Sequence, residues 1–208
     1  MSNIPATTNS HSVCVICEGF EEQIYFERLL QLGLWNRIYS FKVVNAKSAD
    51  HIPAVFQDKY QNNRYEAILI FCDTDNPPFS KYSMIKDKIN RFLGKRSAAE
   101  KVVIFANPCT MQIVLSHFGD VSLSSPSKRA NAEIIEQLTG IANYDAHNEQ
   151  IREMCSKIKR DNYTEMYNRI KLINHSYDVN PSTNFSSFIE RFESDDPKWI
   201  KEIQNALE

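Results

Sequence analysis

The feature that most constrains the fold of this chain is a pair of apolar runs that each end in acidic residues. The first run, residues 13–17, stops just before Glu18, and the second, residues 67–72, stops just before Asp73 and Asp75. Continuous apolar runs of this length predict buried, parallel β-strands. Because ligands in open α/β sheets bind at the carboxyl ends of the strands, we expect these carboxylates to lie close together.

A divalent cation is the natural occupant of such a group of carboxylates. Carboxylates held close together repel one another, and Mg²⁺ is a hard ion that takes oxygen ligands and bridges to phosphates. Alternate residues of an extended chain face the same way, so Asp73 and Asp75 can reach one ion while Thr74 points elsewhere. We therefore expect Mg²⁺, or Mn²⁺ in its place, at a site formed by four carboxylates: Glu18, Glu22, Asp73 and Asp75.

Each acidic motif also has a purely structural interpretation. Glu22 would favour the start of a helix, because the helix macrodipole stabilises negative charge there. The two Asp residues can form an Asx-turn into the Asn-Pro-Pro of residues 76–78. A receiver-like phosphotransfer domain also carries an Asp pair, but it predicts a Lys closing a later strand, where this chain has Asn107 and a Pro. The occurrence of both motifs after separate strands favours the metal site.

Composition narrows the class of protein. The 208 residues are 42% hydrophobic with a net charge of −2, which predicts a folded core and gives no overall basic surface for nucleic acid. No apolar run reaches the length of a membrane span, and residues 1–11 lack the apolar stretch of a signal peptide. We expect a mobile tail over residues 1–11 and a cytoplasmic protein without a membrane partner. The five cysteines are interpreted as buried, reduced side chains.

Strands and helices alternate in the first part of the chain, over residues 12–119. The predicted strands cover residues 12–17, 39–44, 66–72 and 102–106. The predicted helices cover residues 21–34, 49–61, 81–93 and 110–118. This alternation is typical of an α/β domain with a mainly parallel, four-stranded sheet between helices.

The second part of the chain follows a different pattern. Residues 120–129 form a polar linker, and residues 129–208 show helical periodicity without a convincing strand. The predicted helices cover residues 130–138, 148–159, 162–174, 185–192 and 199–207. We therefore expect a C-terminal helical extension, residues 129–208, that packs on the α/β core.

Four short stretches of the chain together resemble one known family. They are residues 18–26, 73–75, 107–118 and 180–184, and they are similar to the "EGxxE…YF", acidic, "NPCFELWLLLHF" and "NPSTN" motifs of the RloB-like proteins. These proteins are a branch of the Toprim (topoisomerase–primase) superfamily. One departure concerns the metal site, because the family commonly has Glu where this chain has Met111.

The resemblance implies a fold and an activity. It implies a Toprim-like α/β core with Mg²⁺ at the strand ends, held by Asp73 and Asp75, and with Glu18 as general acid or base. Relatives of this kind are found in restriction and phage-defence loci, often beside an ATPase. Related Toprim effectors in such systems cleave DNA or RNA, including tRNA.

Further candidate residues come from the remaining motifs. His117, near the end of a predicted apolar helix, is either a catalytic or binding residue or a satisfied core histidine. Residues 180–184 either contribute to a substrate groove or dock a partner, or they simply begin a helix. The candidate substrate-binding residues are Asn107, Lys128, Arg129, Asn180, Ser182 and Asn184.

Two hypotheses for function follow from these residues. The first is a Mg²⁺-dependent nuclease of phage defence, with Glu18, Asp73, Asp75 and His117 as the catalytic residues. The second is a catalytically silent Toprim-fold adaptor that binds a partner ATPase or nucleic acid. Substrate identity and assembly into a homo-oligomer stay open at this point.

Overall fold

The computed structural model describes residues 10–208 of the chain. Residues 1–9, which make up most of the predicted tail, lie outside the described residues. The first strand already begins at His11, one residue earlier than predicted, because the backbone of His11 donates to the Ile38 carbonyl at 2.6 Å. Within residues 10–208, no helix has both the length and the apolar character needed to cross a membrane.

A single mostly parallel sheet forms the centre of the described structure. Its strands are β1 (His11–Cys17), β2 (Tyr39–Asn45), β3 (Ala67–Asp73), β4 (Val103–Asn107) and β5 (Ser182–Thr183). They lie in the order β2-β1-β3-β4-β5. The first four strands pair in parallel, and β5 pairs antiparallel with β4.

The prediction of an α/β fold with a mainly parallel sheet between helices is therefore confirmed, but the strand count of four is wrong. The fifth strand, β5, lies in the segment that was predicted to be entirely helical. Two residues are too few to produce a periodic apolar pattern, so this strand leaves no signal in the sequence.

Helices cover both faces of the sheet. The helices are α1 (Phe20–Leu32), α2 (Ile52–Gln61), α3 (Ser80–Leu93), α4 (Ala99–Val102), α5 (Met111–Leu115), α6 (Lys128–Thr139), α7 (Asn148–Ser156), α8 (Arg160–Leu172), α9 (Phe185–Glu193) and α10 (Lys198–Leu207). A 3₁₀ turn, Ala49–His51, precedes α2. The longer helices lie close to their predicted ranges, whereas the short helix α4 was not predicted.

Successive side chains of a strand point to opposite faces of the sheet, and each face packs against its own set of helices. Phe71 of β3 contacts Tyr25 and Phe26 of α1, and it stacks on Phe185 of α9 with ring centroids 5.5 Å apart. On the other face, Tyr82 of α3 contacts the ring of Phe105 in β4. The segment 129–208 thus supplies side chains to the same hydrophobic core as the α/β part.

Candidate metal and active site

The first two carboxylates are brought together by the pairing of β1 with β3. Cys17 pairs with Phe71 in register, and the next backbone amide, that of Glu18, donates to the Phe71 carbonyl at 3.0 Å. The Glu18 side chain then reaches across to β3, where its Oε2 accepts a hydrogen bond from the Asp73 backbone amide at 3.2 Å. The parallel register therefore places these two acidic residues side by side at the carboxyl edge of the sheet.

Asp73 is oriented by the chain that leaves β4. Its Oδ1 accepts hydrogen bonds from the Thr110 backbone amide at 2.7 Å and from the Thr110 hydroxyl at 2.8 Å. Burial raises the pKa of Asp73 well above its ordinary value, and the nearby charges of Glu22 and Glu18 raise it further. Thr110 was not among the predicted site residues, because it reaches Asp73 only when the turn that follows β4 packs against the end of β3.

Glu22 closes the start of α1. Its Oε2 accepts a hydrogen bond from the Gly19 backbone amide at 2.7 Å, which satisfies one of the free amides at this helix start. The side chain is buried, and burial together with the charges of Glu21 and Glu18 raises the pKa of Glu22 to about 7. A Cβ at position 19 would lie 3.3 Å from Glu22 Oε2, so glycine allows this close approach.

Asp75 lies beyond the end of β3 in a left-handed backbone conformation, with φ of 59°. Its carboxylate forms an ion pair with Lys81 at the start of α3, with Oδ2 and Nζ 3.4 Å apart. Its charge also raises the pKa of Glu18, although burial of Glu18 is the larger cause. Asp75 therefore belongs to the same electrostatic cluster as the residues of β1 and β3.

All four predicted metal ligands line one open cavity of about 420 Å³. As they are placed, no three Asp, Glu, His or Cys side chains within residues 10–208 are grouped so that they could hold a metal ion. The chemistry of the donors nevertheless fits a hard cation, since all four are carboxylates. The second oxygens of Glu18, Glu22 and Asp73 accept no hydrogen bond from residues 10–208. Those oxygens are the ones available to a cation.

Glu21 links the cavity to the second part of the chain. Its carboxylate binds Lys128 of α6 in an ion pair and accepts a hydrogen bond from the Tyr144 hydroxyl at 2.5 Å. Glu21 and Lys128 both line the cavity. Glu21 was not among the predicted site residues, because its partners lie more than a hundred residues further along the chain.

The predicted catalytic residue His117 lies away from the cavity, in the core. It is 2% exposed, and its Nδ1 lies 3.2 Å from the Asn162 carbonyl, which can only accept. The neutral ring therefore donates from Nδ1 and accepts at Nε2 from the Tyr25 hydroxyl, 3.0 Å away. Burial lowers the pKa of His117 to about 3. This geometry makes His117 a neutral link between α1 and α8, and we assign it no part in the proposed chemistry.

Two of the predicted substrate-binding residues hold the edge of the sheet. The Asn107 side chain donates to the carbonyls of Tyr177 and Val179 at 2.7 and 3.1 Å. The Asn184 side chain accepts from the Phe105 amide at 2.9 Å and donates to the Val103 carbonyl at 2.8 Å. Both side-chain amides are hydrogen-bonded to the backbone of β4 or of the 177–179 loop, and neither residue lines the cavity.

The remaining predicted substrate-binding residues are divided between the surface, the core and the cavity. Asn180 and Arg129 are exposed, and Ser182 is fully buried in β5. The Ser182 hydroxyl is the one buried side-chain polar atom without a hydrogen-bond partner in the part of the chain that the structure describes. Among the predicted substrate-binding residues only Lys128 lines the cavity, together with Lys47, which was not predicted.

Comparison with known proteins identifies no relative. No protein-family model, no curated protein and no solved structure matches the chain. The fold and the arrangement of the acidic residues therefore carry the functional argument.

Proposed function

We propose that this protein is a Mg²⁺-dependent phosphodiesterase of the nuclease class, with a Toprim-like fold. The observation that carries the proposal is the cavity at the carboxyl edge of the parallel sheet, which is lined by Glu18, Glu22, Asp73 and Asp75. Burial and the repulsion between neighbouring carboxylates raise the pKa of Glu18, Glu22 and Asp73, so the surrounding hydrogen bonds offset only part of the cost of their negative charges. A bound cation would offset the remainder.

The carboxylates would have distinct roles. Asp73, which is held by Thr110, and Asp75, which follows the end of β3, would hold the cation, with Glu22 beside them. When bound, Mg²⁺ stabilises the charge that develops on a transferring phosphoryl group. Glu18 would act as general base toward the attacking water, because its raised pKa makes it a better proton acceptor near neutral pH than an ordinary carboxylate.

Substitution of the central carboxylates tests this function. Glu18→Gln and Asp73→Asn remove charge with little change in shape, and each is expected to abolish Mg²⁺-dependent cleavage of DNA and RNA. General-base catalysis alone is worth roughly 10²–10⁴-fold in rate. The measurement is cleavage of labelled single- and double-stranded oligonucleotides and of tRNA, with and without Mg²⁺ or Mn²⁺.

Asp87→Asn provides the matched control. Asp87 is an exposed residue of α3 that does not line the cavity, so the variant should cleave like the wild type. Thermal unfolding of all variants verifies that the fold is retained. Full cleavage by both Glu18→Gln and Asp73→Asn would show that the carboxylates are not catalytic.

A specific observation also supports the adaptor as a second candidate. Met111, the position at which the RloB-like proteins commonly have Glu, lines the cavity with a thioether instead of a carboxylate. Titration calorimetry with Mg²⁺ and Mn²⁺ separates the two candidates. A nuclease should bind the ion, and Asp75→Asn should weaken that binding. Absence of binding at millimolar metal would favour an adaptor for a partner ATPase or nucleic acid in phage defence.

A further inference from the structure

Part of the cavity is lined by apolar residues that have no role in the proposed metal-dependent chemistry. Phe20, the first residue of α1, lines the cavity beside the carboxylates and is 53% exposed. It is one of only three large hydrophobic residues that are exposed in the described part of the chain. Its ring makes no aromatic contact within residues 10–208. An aromatic face is therefore available next to the candidate catalytic group.

The apolar surface continues onto the second part of the chain. Half-buried Pro126 and Ala146 line the cavity, together with the buried residues Ile135 of α6 and Ile151 of α7. The hydrogen bond and the ion pair made by Glu21 connect this wall to the start of α1. The cavity thus combines an acidic floor from the sheet with an apolar wall from the helices.

Charge and size are consistent with a nucleotide. Lys47 and Lys128 line the cavity together with the carboxylates. Lys47 is exposed and makes no ion pair within residues 10–208, so its ammonium is available to a phosphate. The volume of about 420 Å³ falls near the lower end of the range for small-ligand sites, roughly 300–1,000 Å³. A single nucleotide fits in a space of this size.

We infer that the Phe20 wall is a nucleobase subsite, and that the cavity accepts a single unpaired nucleotide whose phosphate lies at the carboxylates. A base stacks on an aromatic ring without regard to its sequence, whereas a base inside a duplex is already stacked and paired. The substrate class is therefore single-stranded or locally unpaired nucleic acid. This inference rests on the proposed function and adds to it the state of the strand that is bound.

Substitution of Phe20 tests the subsite. Ca²⁺ replaces Mg²⁺ during the measurement to limit cleavage. Fluorescence anisotropy then gives the affinity for a labelled single strand, for the same strand in a duplex and for an abasic strand of equal length. Loss of one base stack costs about tenfold or more in affinity. Phe20→Ala should therefore weaken binding of the single strand about tenfold or more. Phe20→Tyr, which keeps the ring, should bind the strand like the wild type.

The abasic strand and the duplex provide the controls. Both should bind weakly, and neither affinity should change in Phe20→Ala, because neither offers a free base to the ring. Unchanged affinity of Phe20→Ala for the intact strand, or an equal loss for the abasic strand, would overturn the inference. Tight binding of the duplex by the wild type would overturn it as well.

The same experiments distinguish failure of the inference from failure of the proposed function. If the wild type binds Mg²⁺ and cleaves phosphodiesters but Phe20→Ala shows no base-dependent defect, only the nucleobase subsite is wrong. If the wild type neither binds the ion nor cleaves any strand, the proposed nuclease is wrong. Phe20 is exposed at the helix start, so both of its variants are expected to fold, and thermal unfolding checks this.

Discussion

At Glu22 the stability of the fold and the proposed chemistry have opposite requirements. Burial favours the neutral acid, whereas cation binding needs the carboxylate. Glu22 is 4% exposed, it caps the start of α1 through Gly19, and it lies near the charges of Glu21 and Glu18. A carboxylate in that environment is costly to ionise, so its pKa rises from 4.5 to about 7. Gln at this third helical position would make the same hydrogen bond to the Gly19 amide without a buried charge.

Replacement of Glu22 should change how stability depends on pH. Between pH 4.5 and about 7 the folded wild type retains a proton that the unfolded chain has released. The free energy of unfolding therefore falls as pH rises through this window and stays low above it. Glu22→Gln keeps an oxygen for the Gly19 amide and removes this penalty. Without metal, it should be more stable than the wild type at pH 8 by on the order of 3 kcal/mol.

Urea unfolding at pH 5 and pH 8 in the presence of a chelator measures this difference. Glu149→Gln, at an exposed position of α7, is the matched control and should show the pH dependence of the wild type. If Glu22→Gln and the wild type have the same dependence on pH, the carboxylate at position 22 is already ionised in the folded protein.

At the scale of the elements, β5 shows how side chains can extend a sheet. Only Ser182 and Thr183 pair with β4, but the Asn184 amide continues the hydrogen-bond ladder to the backbone of Phe105 and Val103. The Thr183 hydroxyl also donates to the Phe105 carbonyl at 2.5 Å. The edge of the sheet beyond β4 is thus completed largely by side chains.

The two asparagines of residues 180–184 should differ sharply in their effect on stability. Asn184→Ala leaves two backbone groups of β4 without partners, each worth about 1–3 kcal/mol, and should destabilise the protein by about 2–4 kcal/mol. Asn180→Ala removes an exposed side chain and should change stability by less than about 0.5 kcal/mol. Denaturant unfolding measures both, and metal affinity should be unchanged. Equal stability of the two variants would contradict the structural role of Asn184.

At the scale of the whole molecule, the division of the chain at residues 120–129 does not divide the core. Phe185 of α9 stacks on Phe71 of β3, and Phe192 contacts Phe26 of α1 and Phe41 of β2. The helical segment therefore covers one face of the sheet, and it also supplies the apolar wall of the cavity.

A fragment that ends before the helical segment should fail to fold by itself. Residues 1–119 would expose the face of the sheet around Phe71 that α9 covers, and they would lose the hydrogen bonds of Asn184. We expect no cooperative thermal transition in this fragment, whereas the full chain should unfold in one step. A cooperative transition of the fragment would show that the segment 129–208 is a separate unit.

Local sequence patterns were sufficient to predict most of the strands and helices and to identify the acidic motifs. Apolar runs indicated β1 and β3, and helical periodicity indicated α1, α3 and α9, because these patterns repeat over short distances along the chain. The placement of Glu18 and Asp73 at one edge also followed from local signals, since the carboxyl ends of parallel strands coincide.

Tertiary structure alone decided which other side chains share the cavity. Sequence reasoning did not find the contacts of Thr110 with Asp73 or of Lys128 with Glu21, because these residues meet only after the sheet and the helices have packed. The same packing buried His117 and Asn107 among structural partners and left Phe20 exposed beside the carboxylates. Periodicity reports which face of an element is buried, but contacts between distant segments depend on how those faces dock.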